Sequence, residues 1–174
     1  MTSGRQKERL LTSLLRENSI DVLRFLQRRV GSDDAPDLLG ETLLVVWRRV
    51  DELPDDSTEV RMWLFGVARG VLLNYRRSEK RRLALIDRVR QHMPRTPASP
   101  AADEGHDVRD AVDRLPPELA EVVQLVHWDG FTLVEAAAIV GIAPATMRSR
   151  YARAKAALRA LLVVAPDVPL PSGR

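Results

Sequence analysis

Between residues 91 and 107 the chain reads QHMPRTPASPAADEGHD, with Pro94, Pro97, Pro100 and Gly105 and no periodic apolar stripe. Each proline removes an amide donor and restricts the residue before it, so the segment predicts a tether rather than a helix. On either side, apolar residues recur at the three-to-four spacing of amphipathic helices. This interruption divides the 174 residues into an N-terminal domain at 5–90, a flexible Pro/Ala-rich linker at 91–107 and a C-terminal domain at 108–163. The expected fold class is all-α: two small helical domains, the second a helix-turn-helix. Domains of roughly 85 and 55 residues have small cores, to which partner contacts can add order.

Three helices account for the first domain. The first covers about residues 6–30, with Leu10, Leu11, Leu14, Leu15, Val22, Leu23, Phe25, Leu26 and Val30 on its apolar face, a candidate break at Asn18 and Ser19, and a stop at Gly31. The second starts at Asp33 or Asp34, whose carboxylate is suited to first-turn amides, with Pro36 where a missing amide costs nothing. Leu39, Leu43, Val46 and Val50 form its expected apolar face, while Asp37, Glu41, Leu44 and Arg48 make a mixed strip along the other side, with Trp47 bridging the two. Such a strip fits a partner helix or simply solvates the surface. After the polar loop DELPDDSTE, a third helix buries Trp63, Leu64, Val67, Ala68, Val71, Leu72 and Tyr75, and its far end is cationic. Trp63, Phe65 and Tyr75 near those cations serve either the core or base stacking.

The second domain carries the sharper pattern. Pro116 and Pro117 open a helix with Leu119, Val122, Val123 and Val126 inward, closed by Asp129 and Gly130. Thr132 and Glu135 have the spacing of a reciprocal capping box before a short helix over 133–140, and Gly141 ends it. Ile142 plugs the angle, Pro144 suits the first turn of the next helix, and Ala136, Ala137 and Ala138 allow close approach. That is a helix-turn-helix signature. In the last helix Met147, Tyr151, Ala154, Leu158 and Leu161 trace the inward stripe. Thr146, Arg148, Ser149 and Arg150 are then candidates for base edges or adjacent phosphates, and Arg153 and Lys155 for phosphates. The tail from Val163, with three prolines, is expected to trail away from this helix.

Net charge is only +3, yet the cations are grouped. Eight basic residues against two acidic ones lie between Arg69 and Arg90, and five against none between Pro144 and Ala160, leaving the rest of the chain net negative. Two basic segments in an otherwise acidic chain suit one long polyanion, unless they merely solvate helix faces. No cysteine is present, which excludes thiolate nucleophiles and cysteine-held metals. No GxxxxGK[ST] loop or HExxH motif occurs; His92 and His106 fall in the linker and His127 at a helix end, while Asp33, Asp34 and Asp37 are read as a helix start. The chain is therefore expected to have no catalytic residue, metal, cofactor or small-molecule substrate. Without an apolar run of 18 residues or a signal segment, it is expected in the cytoplasm.

The stretches DDAPDLLGETLLVVWRRV and MWLFGVARGVLLNYRRSEKRR, followed by LPPELAEVVQLVHWDGFTLVEAAAIVGIAPATMRSR and YARAKAALR, resemble the extracytoplasmic-function (ECF) sigma factors of bacterial RNA polymerase over about residues 18 to 162. The resemblance implies a non-enzymatic subunit that binds core polymerase at the β′ clamp helices and β flap and directs promoter-specific initiation. It implies docking through Asp37, Leu38, Glu41, Leu44, Trp47 and Arg48. It also implies recognition of the −10 element, with the Asp51–Glu59 loop, by Trp63, Arg69, Asn74, Arg76, Arg77 and Lys80. The −35 element falls to Thr146, Arg148, Ser149, Arg150, Arg153 and Lys155, and an anti-sigma factor is implied as a further partner. Gly40, Leu43, Gly70 and Asn74 depart from the family's usual Gln, Phe, Asn and Asp, which bears on polymerase affinity and upstream-base choice. The competing reading is a dimeric helix-turn-helix regulator that acts without being a polymerase subunit.

Overall fold

The computed structural model describes residues 2–90 and 107–163. Residues 91–106 of the expected linker, with His92 and His106, and the proline-containing tail from residue 164 lie outside them, whereas Asp107, expected as the linker's last residue, opens a helix. The chain divides into two compact units, Met1–Ala98 and Ser99–Arg174. Among the described residues there are seven α-helices, one 3-10 turn and no strand, so the all-α expectation holds.

The first unit contains α1 (Thr2–Val30), α2 (Ala35–Arg48), a 3-10 turn (Val50–Glu52) and α3 (Ser57–Arg90). α1 runs unbroken through Asn18 and Ser19, because both side chains donate back to the preceding turn, Asn18 Nδ2 to the Leu14 carbonyl at 2.9 Å and Ser19 Oγ to that of Leu15. A polar pair that competes with the helix in isolation is absorbed by it. Gly31, at φ +88°, turns the chain out of α1. Phe25 of α1 and Phe65 of α3 meet edge to face in the middle of the core, with ring centroids 5.3 Å apart and planes at 78°. Around them pack Leu11, Val22 and Leu26 of α1, Ala35, Leu38 and Val46 of α2, and Val60, Leu64, Val67, Ala68, Val71 and Leu72 of α3.

Two expectations for this unit are corrected. The buried arc of α2 is Ala35, Leu38, Thr42 and Val46, whereas Leu39, Leu43 and Val50 are half-buried. Thr42 occupies the centre because its hydroxyl donates to the Leu38 carbonyl at 2.7 Å, which removes the cost of burying it. The loop before α3 is also shorter than DELPDDSTE suggests. Val50–Glu52 forms the 3-10 turn, and Asp56 accepts the Thr58 and Glu59 amides at 2.9 and 3.1 Å, so the helix starts at Ser57. Phe65 settles in the core, while Trp63 and Tyr75 remain half-buried.

The second unit contains α4 (Asp107–Asp113), α5 (Pro117–His127), α6 (Leu133–Val140) and α7 (Pro144–Val163). α4 has no counterpart in the sequence reading: seven residues are too few for a clear period, and it is ordered by packing Ala111 and Val112, with Leu115 beyond it, against α5 and α7. In α5 Leu125 is buried in place of the expected Val126, together with Leu119, Val122 and Val123. Both halves of the capping box form, Thr132 N to Glu135 Oε2 at 2.7 Å and Glu135 N to Thr132 Oγ1 at 3.3 Å. Gly141 adopts the left-handed conformation at φ 76°, ψ 37°, and its amide and that of Ile142 return to the carbonyl of Ala137. Ala136 and Ala137 are buried in the helix pair, but Ala138 points outward and takes no part in the close approach.

These terminators yield a stability prediction. Thr132→Ala should cost about 1 kcal/mol, the usual worth of an N-cap. A Cβ at Gly141 would meet nothing within 4 Å, so Gly141→Ala should cost only the backbone strain, about 1–2 kcal/mol. Urea denaturation followed by circular dichroism measures both.

Candidate nucleic-acid interface and docking strip

On α7, Met147 is 1% exposed and Ala154 fully buried, and these two fix the orientation of every other side chain. At 100° per residue, Ser149 and Arg153 fall on the arc opposite Met147, beside the exposed Ala152 and Ala156, and the exposed Thr146 stands at the edge of that arc. Arg148 and Lys155 share one flank of that arc. Arg150 lies on the other flank and is half-buried, so the six expected residues form a ridge with two shoulders rather than a single row. Small side chains on the ridge permit close approach to a groove floor. Among the described residues no carboxylate pairs with Arg148, Arg150 or Arg153.

Behind the ridge sits an arrangement that the sequence reading missed. His127, at the end of α5, brings Nε2 to 2.9 Å from the Tyr151 hydroxyl, and the two rings stack with centroids 5.8 Å apart. Lys155 Nζ lies 4.9 Å from the centre of the same tyrosine ring. The pair ties α5 to α7, and its 24-residue separation left no local pattern to find.

The candidates on α3 divide in two. Arg69, Arg76 and Lys80 follow one another at helical spacing on one side, and Trp63, Asn74 and Arg77 on another. Arg77 Nη2 donates to Asn74 Oδ1 at 2.8 Å, which fixes that pair together, and Arg76 Nη2 reaches the Arg29 carbonyl at the end of α1 at 3.4 Å. From Trp63 to Lys80 is about 25 Å of helix axis, the span of an extended track and not of a pocket. Trp63 also lies beneath Arg49, whose guanidinium carbon is 5.7 Å from its ring centre. Arg49 is held there by two bonds to Glu52, Nε to Oε1 at 3.0 Å and Nη2 to Oε2 at 2.5 Å. The hydrogen bonds from Arg49 hold the Glu52 carboxyl below its usual range, and Glu52 raises the guanidinium in return. Arg49 was not among the expected residues; its three-residue spacing to Glu52 was the only available signal.

On α2 the strip separates cleanly from the core. Asp37, Glu41, Leu44 and Arg48 lie within one narrow arc and are all exposed, with Leu44 at 59%. Trp47, 53% exposed, borders that arc on the side of α1. Leu38 does not belong with them. It is 4% exposed and points into the core, because its position on the helix lies nearly a third of a turn away from the strip.

Among the described residues, no group of three or more histidine, aspartate or glutamate side chains could hold a metal ion, and no helix is long and apolar enough to cross a membrane.

Among the described residues the chain is all-α, with a three-helix unit followed in sequence by a helix-turn-helix unit, each bearing a cationic helix face, the class of a two-part DNA-binding protein. The family model described as Sigma-70 region 2 matches residues 14–82, and that described as Sigma-70, region 4 matches residues 106–158. The ECF RNA polymerase sigma factor EcfG of Rhodopseudomonas palustris is 34% identical over 77% of this chain and 74% of its own length. The ECF RNA polymerase sigma factor SigL of Mycobacterium tuberculosis is 29% identical over 88% of this chain and 89% of its own. Among solved structures, the sigma factor RpoE in complex with the anti-sigma factor NepR from Bartonella quintana superposes with a TM-score of 0.60 and 27% identity, over 95% of this chain and 100% of that one. The chain belongs to the ECF sigma factor family and directs transcription initiation.

One contact between α2 and α3 sets a pH dependence. Asp34 does not cap α2 with its carboxylate, which instead accepts the Tyr75 hydroxyl at 2.8 Å. That hydrogen bond is the main reason the phenol is raised above its ordinary value. A raised folded-state pKa means the stabilisation is complete below the unfolded phenol's value of about 10 and is lost as pH rises through the higher folded value. The Tm of the wild type should therefore fall in that alkaline window by more than the Tm of Tyr75→Phe, with thermal melts between pH 8 and 12 as the measurement.

Proposed function

We propose that the first unit docks on core RNA polymerase through α2 and reads the −10 element through α3, while the second unit reads the −35 element through α7. The observation that carries this reading is the pairing of exposed cationic faces, Asn74 to Lys80 on α3 and Thr146 to Lys155 on α7, with a separate strip on α2 that carries both charge signs and exposed apolar groups. Polyanions select the first kind of surface and protein helices the second. The docking residues are Asp37, Glu41, Leu44, Trp47 and Arg48. The β′ clamp helices are the partner of this strip, and the β flap that of the second unit.

On this reading the α3 surface and the preceding loop capture an extruded base of the opened −10 element, which offsets an unstacking cost of a few kcal/mol. Joining two weak readers on one chain makes the second contact intramolecular and therefore easier than a fresh encounter. The polymerase supplies all the chemistry; this chain contributes no catalytic residue, cofactor or metal. It acts in the cytoplasm, where polymerase and promoters are. An anti-sigma factor would act by covering the α2 strip or the cationic faces, as suits a relative solved in complex with one.

The test is reconstitution with core polymerase on a promoter library. Promoter-specific initiation is expected; symmetric duplex binding without polymerase would instead favour a dimeric regulator. In the holoenzyme, Arg148→Ala should relax preference at one distal base pair by about 1–3 kcal/mol, the worth of one bidentate base contact. Arg153→Ala should weaken all sequences alike and lower the salt slope by about 1. Trp47→Ala should reduce core-polymerase affinity at least tenfold, on the order of a buried aromatic anchor, while duplex binding by the second unit is unchanged.

A further inference from the structure

Beside Trp47 the surface opens into a cleft of about 460 Å³ between α2 and α1, lined by Arg9, Thr12, Ser13, Arg16, Glu17 and Trp47. None of the α1 residues was assigned a role above. Arg9 and Arg16 are seven residues apart, so both project from one face of α1, separated by about 10 Å of axis. Both are exposed. The cleft's single carboxylate, Glu17, is engaged locally, its Oε1 accepting the Ser13 hydroxyl at 3.0 Å. Two guanidinium groups, one acid and an exposed indole thus line the same cleft.

This cleft continues the strip on α2. Asp37 and Glu41 lie at the strip's acidic end, Leu44 and Trp47 are its exposed apolar groups, and Arg48 is its cationic end about 17 Å along the axis from Asp37, with Arg9 and Arg16 lining the cleft beside the neighbouring Trp47. We infer that the docking surface extends onto α1, and that the α1–α2 cleft receives an acidic side chain from the polymerase helix that lies along α2. The inference rests on the docking reading of α2. The charge order makes it directional: the partner helix must place cations opposite Asp37 and Glu41 and a carboxylate opposite Arg9 and Arg16, and the reverse orientation puts like charges together. A guanidinium fork donates two parallel hydrogen bonds to a carboxylate, which suits arginine here better than lysine. Nucleic acid is the weaker occupant, because Asp37 and Glu41 on the same surface repel a phosphate chain.

The experiment titrates full-length chain into core RNA polymerase free of any sigma factor, at low and at high salt, comparing wild type, Arg9→Glu/Arg16→Glu and Arg9→Lys/Arg16→Lys. The expected result is a loss of at least tenfold for the glutamate pair at low salt, a smaller loss for the lysine pair, and convergence of all three at high salt, as for charge-assisted contacts at an interface. Unchanged affinity in the glutamate pair overturns the inference and leaves the docking reading standing, since Trp47→Ala reports on that separately. Should the glutamate pair instead lose affinity for a single-stranded oligonucleotide while keeping that for core polymerase, the cleft is a nucleic-acid site and the inference fails. A wild-type chain that does not bind core polymerase removes both readings together. The lysine pair keeps the charge of the wild type, so its affinity remains informative even if the glutamate pair is unstable by thermal melting.

Discussion

The burial of Met147 and Ala154 is the constraint on which the reading surface depends. α7 carries five cations and no carboxylate, and these two are its buried side chains among the described residues. Once those two side chains enter the core, helical geometry dictates that Thr146, Ser149 and Arg153 face outward and that Arg148 and Arg150 stand on opposite shoulders. The turn before α7 does the complementary work. A left-handed Gly141, amides returned to Ala137 and a doubly satisfied cap at Thr132 set where the helix begins. Had α7 started one residue earlier, a different set of side chains would face outward.

In the first unit the same economy appears in α2, which buries one arc and leaves the opposite one exposed. Thr42 shows how narrow the margin is: a hydroxyl at the centre of the core is tolerated because the helix's own carbonyl accepts its proton. The strip and the core therefore share a helix of only 14 residues without competing for side chains. Around it, exposed polar contacts such as Arg49 with Glu52 and Tyr75 with Asp34 orient aromatic groups at the edge of the cationic face of α3. Individually such exposed pairs add little to stability. Their value is geometric, because they hold Trp63 and the start of α2 in fixed surroundings.

How much could be read beforehand differs between the units. The capping pair Thr132 and Glu135, the stop at Gly141 and the start at Pro144 were legible because each is a local event settled within one or two turns. Of the α7 stripe, Met147 and Ala154 were legible for the same reason, whereas Tyr151, Leu158 and Leu161 are half-buried. The arc of α2 was not: Leu38 and Leu39 are equally apolar, and Thr42 counts against the face it occupies. α4 lacked enough residues to show a period, and Asn18 with Ser19 suggested a break that the helix heals by its own back-bonding.

What the amino-acid order determined alone is the helical class, the division at the proline-bearing segment, the helix-turn-helix and the placement of cations in two groups, since each follows from backbone sterics and periodicity within short windows. Tertiary packing decided which leucine of α2 enters the core, that Asp34 serves Tyr75 instead of its own helix, and that α1 lends arginines to the border of the docking strip. Those outcomes depend on which neighbouring helix reaches a given side chain first, and pairs such as Asp34 and Tyr75 are 41 residues apart along the chain, a separation over which local pattern carries no information.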